Sequence, residues 1–174
     1  MENLNLIYSE IFISLSVMFL LILGVFKKNS STIVHNLSLG TLLFSIFLTI
    51  NHPLETEISL FNNSYKIDYL SSFMKILTLI AGIFVLVTSS RYLKLFKIFQ
   101  IEYSILILCS ILGMMVMISS NDLIVFYIGL ELQSLALYVL ASFNRDQIKS
   151  SEAGLKYFVL SALSSGILLY GCSL

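Results

Sequence analysis

The chain has 174 residues, 57% hydrophobic and 11% charged, with ten Lys plus Arg balanced by ten Asp plus Glu, and its mean hydropathy is +0.94. Soluble domains carry roughly 45–50% apolar and about 25% charged residues, so a soluble globular domain is excluded and an integral membrane protein is indicated. The even charge balance excludes a nucleic-acid surface and an acidic tail.

Six stretches reach the roughly 20 residues that cross about 30 Å of hydrocarbon as a helix, near 4–26, 32–51, 69–89, 102–119, 122–143 and 152–173. The expected fold is an all-α integral membrane protein, with residues 1–174 forming a single membrane domain of about six transmembrane helices. The first stretch is too long for a signal-peptide core and has an acidic flank, so it reads as a retained span. Glu10, in "YSEIFI", lies near one edge of span one and His35 near the opposite edge of span two; both read as interfacial. Span three places Lys75 about two turns in, on one face with Ser71, Ser72, Thr78 and Gly82, which argues for a polar protein interior around it. Snorkelling to the interface is the competing reading, so Lys75 is the weaker functional candidate.

Spans four and five are joined by almost nothing, which predicts a tight antiparallel hairpin. Asn121 is the expected N-cap of span five, and Ser150 or Ser151 that of span six. Asp122 and Glu152 then fall in first turns, where the helix dipole favours a negative charge. Lys156 lies about one turn into span six, where snorkelling competes with a functional role. It is followed by "SALSSG", whose Ser161, Ala162, Ser165 and Gly166 permit close helix packing.

The connections set the orientation. Lys27 and Lys28 follow span one, Arg91, Lys94 and Lys97 follow span three, and Arg145 and Lys149 follow span five. The amino-terminal segment and the turn after span four have no Lys or Arg, and the connection after span two has only Lys66 among Glu55, Glu57 and Asp68. The positive-inside rule puts the first set on the cytoplasmic or matrix side and the amino terminus opposite.

Glu131, in "FYIGLELQSLAL", stands near mid-membrane in span five, too deep to snorkel. A carboxylate at a helix centre costs roughly 2.5–3.5 kcal/mol on the insertion scale, so such a group faces a protein interior or water and has a partner. Tyr127, Ser134 and Tyr138 share its face at helical spacing, and Gln133 points away. One reading is a protonated side chain that only bonds a neighbouring helix. The favoured one is a group that gains and loses a proton. Burial holds a carboxyl neutral, whereas a lysine about 4 Å away favours the charged form by roughly 4 kcal/mol at an effective dielectric of about 20. Approach and withdrawal of a lysine would therefore switch such a group.

No P-loop, GxGxxG, CxxC or HExxH pattern occurs, so no short motif for a nucleotide, cluster or metal is present. Cys109 and Cys172 lie inside apolar segments without metal-type spacing and read as packing residues. A single proline, no tryptophan and much Leu, Ile, Phe, Ser and Tyr are compatible with an AT-rich organellar genome.

Together, "LGMMVMISSNDLIVFYIGLELQSLALYVLASFNRD" (112–146) and "SSEAGLKYFVLSALSSGILLYGCSL" (150–174) resemble NADH dehydrogenase subunit 2, an antiporter-like proton-pumping subunit of respiratory complex I. The match is close from about Ile101 onward and weak before it. The resemblance gives Glu131 the place of the family's essential span-five glutamate and Lys156 that of the lysine after "EAG". It implies an amino-terminal half of an antiporter-like fold in the mitochondrial inner membrane, with a bacterial plasma membrane as the lesser alternative and the amino terminus on the intermembrane-space side. It implies no cofactor in this chain, with NADH, FMN, iron-sulfur clusters and ubiquinone bound by other subunits. Implied partners are other membrane-arm subunits and the lipid bilayer. Family members have more than twice as many spans, with a lysine on a seventh span that pairs with the span-five glutamate. The expectation is therefore a divided subunit, with a separate chain supplying the remaining antiporter helices and that lysine. The alternatives are part of a secondary cation/proton antiporter, a plastid-type relative of complex I, or a non-conducting structural membrane subunit.

Overall fold

The computed structural model describes residues 7–26, 31–51, 58–96 and 98–173. Six helices, each long and apolar enough to cross a membrane, follow in order. They are α1 (Tyr8–Phe26), α2 (Ser31–Ile50), α3 (Tyr69–Leu95), α4 (Ile101–Ile118), α5 (Leu123–Ala141) and α6 (Ile148–Ser173). A two-stranded antiparallel sheet, β1 (Ile58–Leu60) and β2 (Tyr65–Ile67), stands between α2 and α3. Lys27, Lys28, Glu55, Glu57 and Lys97, which entered the orientation argument, lie outside the described residues.

The helix α4 is central and touches α1, α2, α3 and α5. Its Ile105, Leu108, Ile111 and Met115 close a core with Ile13 and Leu20 of α1, Val34 and Leu42 of α2, and Leu79 and Leu86 of α3. Against α5 the approach is backbone to backbone. A Cβ added at Gly113 would stand 2.6 Å from the Gln133 nitrogen, and one at Gly129 would stand 2.8 Å from the Met117 nitrogen. Two glycines thus let α4 and α5 meet as small residues do in membranes, where van der Waals packing drives helix association. Cys109 packs half-buried against the core, whereas Cys172 is exposed on α6 and does not serve as a packing residue among the described residues.

Both expected helix caps are corrected. Asn121 is committed elsewhere: its N–H donates to the Ser64 carbonyl at 3.0 Å and its Nδ2 to the Asn63 carbonyl at 2.7 Å. Asp122 is the N-cap of α5, its carboxylate accepting from the Ile124 N–H. Helix α6 starts earlier than expected, at Ile148, so Ser150 and Ser151 lie inside its first turn. Ser150 Oγ donates to the Ala141 carbonyl at 3.1 Å and ties α6 to the end of α5. Helix α3 runs on to Leu95, carrying Arg91 and Lys94 in its exposed last turns, where cations suit the dipole.

The β hairpin had no counterpart among the expected elements. Its turn places Phe61, Asn62 and Asn63 at φ of 50°, 53° and 71°, a left-handed region that asparagine tolerates better than most residues. It docks on the α4–α5 turn through the Lys66 N–H, which donates to the Ser119 carbonyl at 2.8 Å, and through the Asn121 bonds.

Candidate functional site

Among the described residues, two sites hold the candidate carboxyl groups Glu10 and Glu131. The first is closed. Lys75 lies on the buried face of α3 with Ser71, Ser72, Leu79 and Gly82, as helical periodicity requires. Its Nζ donates to Glu10 Oε1 at 2.6 Å, with side-chain exposures of only 3% and 6%. Alternation along β2 turns Tyr65 and Ile67 inward and Lys66 outward. Tyr65 O–H donates to Glu10 Oε1 at 2.8 Å and accepts from Lys75 Nζ at 3.2 Å. Ser9 Oγ donates to the other carboxylate oxygen at 2.7 Å. Burial first, and then the adjacent Glu10 carboxylate, push the Tyr65 phenol above its ordinary range. Every member of this cluster has a partner, so it ties α1, β2 and α3 together.

This geometry corrects two readings. Lys75 does not snorkel, and Glu10 is buried in an ion pair rather than held at an interface. His35 is likewise buried; its Nδ1 is 3.2 Å from Ser104 Oγ and its ring meets Phe99 edge-on. Tyr65 was not among the sequence-derived candidates. Its signal lay in "SLFNNSYKI", where two short β-type runs flank an Asn-Asn turn.

The second site is open. Glu131 is the ninth of the nineteen residues of α5, roughly 12 Å along its axis at about 1.5 Å per residue. The side chain is half-buried, and its Oε1 is shielded from solvent with no hydrogen-bond partner among the described residues. A buried acceptor left unpaired costs about 1–3 kcal/mol. On the same face Tyr127 and Ser134 are half-buried, and the Tyr138 hydroxyl bonds Ser161 Oγ on α6. Lys156 is not brought to Glu131: it is 68% exposed and pairs with Glu152 at 2.6 Å on its own helix. Of the small residues expected to pack helices closely, Ser161 meets α5, but a Cβ added at Gly166 would have no atom within 4 Å.

Residues 120–174 match the family described as NADH:quinone oxidoreductase/Mrp antiporter, TM. Over 174 residues the chain is 76% identical to NADH-quinone oxidoreductase subunit N of Pelagibacter ubique, covering 100% of this chain and 37% of that protein. It is 49% identical to subunit N of Bartonella bacilliformis, with 99% and 35% covered, and 46% identical to that of Maricaulis maris, with 99% and 36% covered. The fold matches a chain of respiratory complex I from Thermus thermophilus with bound aureothin, with a TM-score of 0.76 and 24% identity over 94% of this chain and 35% of that one. The chain thus spans about a third of the length of the relatives it matches. By sequence along its whole length, it is a homologue of NADH-quinone oxidoreductase subunit N and corresponds to the amino-terminal portion of that antiporter-like membrane subunit.

Proposed function

We propose that this chain is the amino-terminal part of an antiporter-like subunit of a proton-translocating NADH:quinone oxidoreductase, and that Glu131 carries the proton. The supporting observation is the Glu131 carboxyl itself, near the middle of α5 with a shielded oxygen that the described residues leave unpaired. An intramembrane ionisable group is a functional candidate by default, and it needs a partner. The described residues offer none at that depth, so in this reading the partner is a cation on further helices of the antiporter-like fold. Its approach would favour the carboxylate and its withdrawal the neutral acid. Lys156, the ninth residue of α6 and close to the level of the α5 end where Gly154 meets Ser142, is the secondary candidate and would exchange protons nearer the surface. Lys75, already paired with Glu10, is assigned to holding the bundle.

Electron transfer belongs to other subunits in this reading, with NADH, flavin, iron-sulfur clusters and quinone bound there. The relatives named above are bacterial, which favours a bacterial plasma membrane over the mitochondrial inner membrane expected from the sequence. The amino terminus then faces away from the cytoplasm. Glu131→Gln in the assembled complex tests the role: in inverted membrane vesicles, acidification per NADH oxidised should fall while assembly is unchanged, and Glu131→Asp should restore part of it. Full pumping by an assembled Glu131→Gln complex would reduce Glu131 to a structural residue.

A further inference from the structure

A groove of about 790 Å³ opens between α1, α4, α5 and α6, at the membrane face where α5 ends and α6 begins. Its walls are apolar and include Leu21, Leu106, Cys109, Val139, Leu155 and Phe158. Its mouth carries Glu102, in the first turn of α4, and Arg145, in the link after α5. Both are exposed, and neither forms a salt bridge among the described residues. A second hollow, of about 670 Å³, adjoins at Glu102, Phe143 and Arg145 and adds Asn144 and Asp146.

We propose that this groove binds one zwitterionic glycerophospholipid with an ammonium headgroup, its phosphate on Arg145, its ammonium on Glu102 and one acyl chain along the apolar wall. Depth supports part of one acyl chain: Cys109 lies seven residues, roughly 10 Å, along α4 from Glu102 at the mouth, against about 15 Å for one leaflet of a hydrocarbon core about 30 Å thick. Charge selects the headgroup. Arg145 presents a planar fork of donors that matches phosphate oxygens. The carboxylates of Glu102 and Asp146 beside it would repel a purely anionic headgroup but accept hydrogen bonds from an ammonium. The wall is furnished by four helices rather than one, so the acyl chain would be held in a cleft and not merely laid on an annular surface.

The test uses the assembled complex in vesicles containing a phosphatidylethanolamine with a diazirine at mid-acyl chain. After irradiation, labelled peptides should map to the groove, at Leu106, Cys109, Leu155 or Phe158. Unlabelled phosphatidylethanolamine should compete, whereas phosphatidylglycerol and inorganic phosphate should not. The double variant Glu102→Gln/Arg145→Gln alters only exposed side chains and should lower labelling about ten-fold, the loss expected when two charge-assisted hydrogen bonds become weaker ones. Leu155→Trp, which fills the cleft, should abolish it. Labelling spread evenly over the outer helices, equal competition by phosphatidylglycerol, or absence of label because further helices fill the groove would each overturn the proposal.

Discussion

Lys75 Nζ lies 2.6 Å from Glu10 Oε1 in the bundle interior, so a cation on α3 and a carboxylate on α1 neutralise each other out of reach of water. Removing one member of such a pair leaves a buried charge and costs about 3–5 kcal/mol, whereas replacing both with apolar groups is often neutral. Lys75→Met should therefore destabilise the detergent-solubilised protein by about 3 kcal/mol or more in a denaturant titration, and Lys75→Met/Glu10→Leu should recover most of that loss. Additive losses in the double variant would show that the two side chains act independently.

Tyr65 adds a pH dependence to the same cluster. Its phenol is held neutral by burial and by the Glu10 charge, whereas in the unfolded chain it titrates near its ordinary value of 10.0. With the folded pKa raised, the unfolded state loses its proton first, so this contribution is complete below pH 10 and is lost as pH rises beyond it. Stability should therefore fall with pH more steeply in the native protein than in Tyr65→Phe. The difference in phenolate absorbance between the two should stay near zero at pH 11 if Tyr65 is still folded.

The contact between α4 and α5 makes a steric prediction. A methyl at Gly113 would meet the Gln133 nitrogen and the Gly129 carbonyl oxygen at 2.6 and 2.8 Å, both backbone atoms that cannot rotate aside. Gly113→Ala and Gly129→Ala should each cost about 1–3 kcal/mol by overpacking. Gly166→Ala, with nothing within 4 Å, should be neutral or stabilising. The thermal midpoint of the purified protein should fall for the first two variants and hold or rise for the third.

Orientation is checked by labelling. Between Asn62 in the hairpin turn and Asn144 after α5 the chain crosses three times, through α3, α4 and α5, which puts the two positions on opposite faces. Arg91, Lys94, Arg145 and Lys149 collect on the face that holds Asn144. In a Cys109→Ser/Cys172→Ser background, Asn144→Cys should react with an impermeant maleimide only from the cytoplasmic side, and Asn62→Cys only from the opposite side. The reverse pattern would invert the topology.

Six apolar runs of membrane length and the central place of Glu131 in the fifth follow from local quantities, namely hydropathy and the rise of a helix per residue, and these are properties of a continuous segment. The lack of a partner for Glu131 among residues at its own depth was legible for the same reason. Local pattern was silent wherever an interaction joins distant segments. Glu10 and Tyr65 are fifty-five positions apart, yet they share a hydrogen bond. Only the packing of α1 against α2 and α4, and of α3 against the same two helices, brings Lys75 onto that carboxylate. The caps show the same division. Asn121 and Asp122 are comparable cap formers by residue type, and the hairpin decided between them by fixing the Asn121 backbone on Ser64 and its side chain on Asn63, one residue before the cap position that Asp122 takes. Tertiary structure decided which charges are spent within the chain and which remain open: Lys75 is enclosed with its counter-charge, while the Glu131 oxygen is shielded and unpaired among the described residues. That difference arises from helix-to-helix geometry, which periodicity along one helix does not encode.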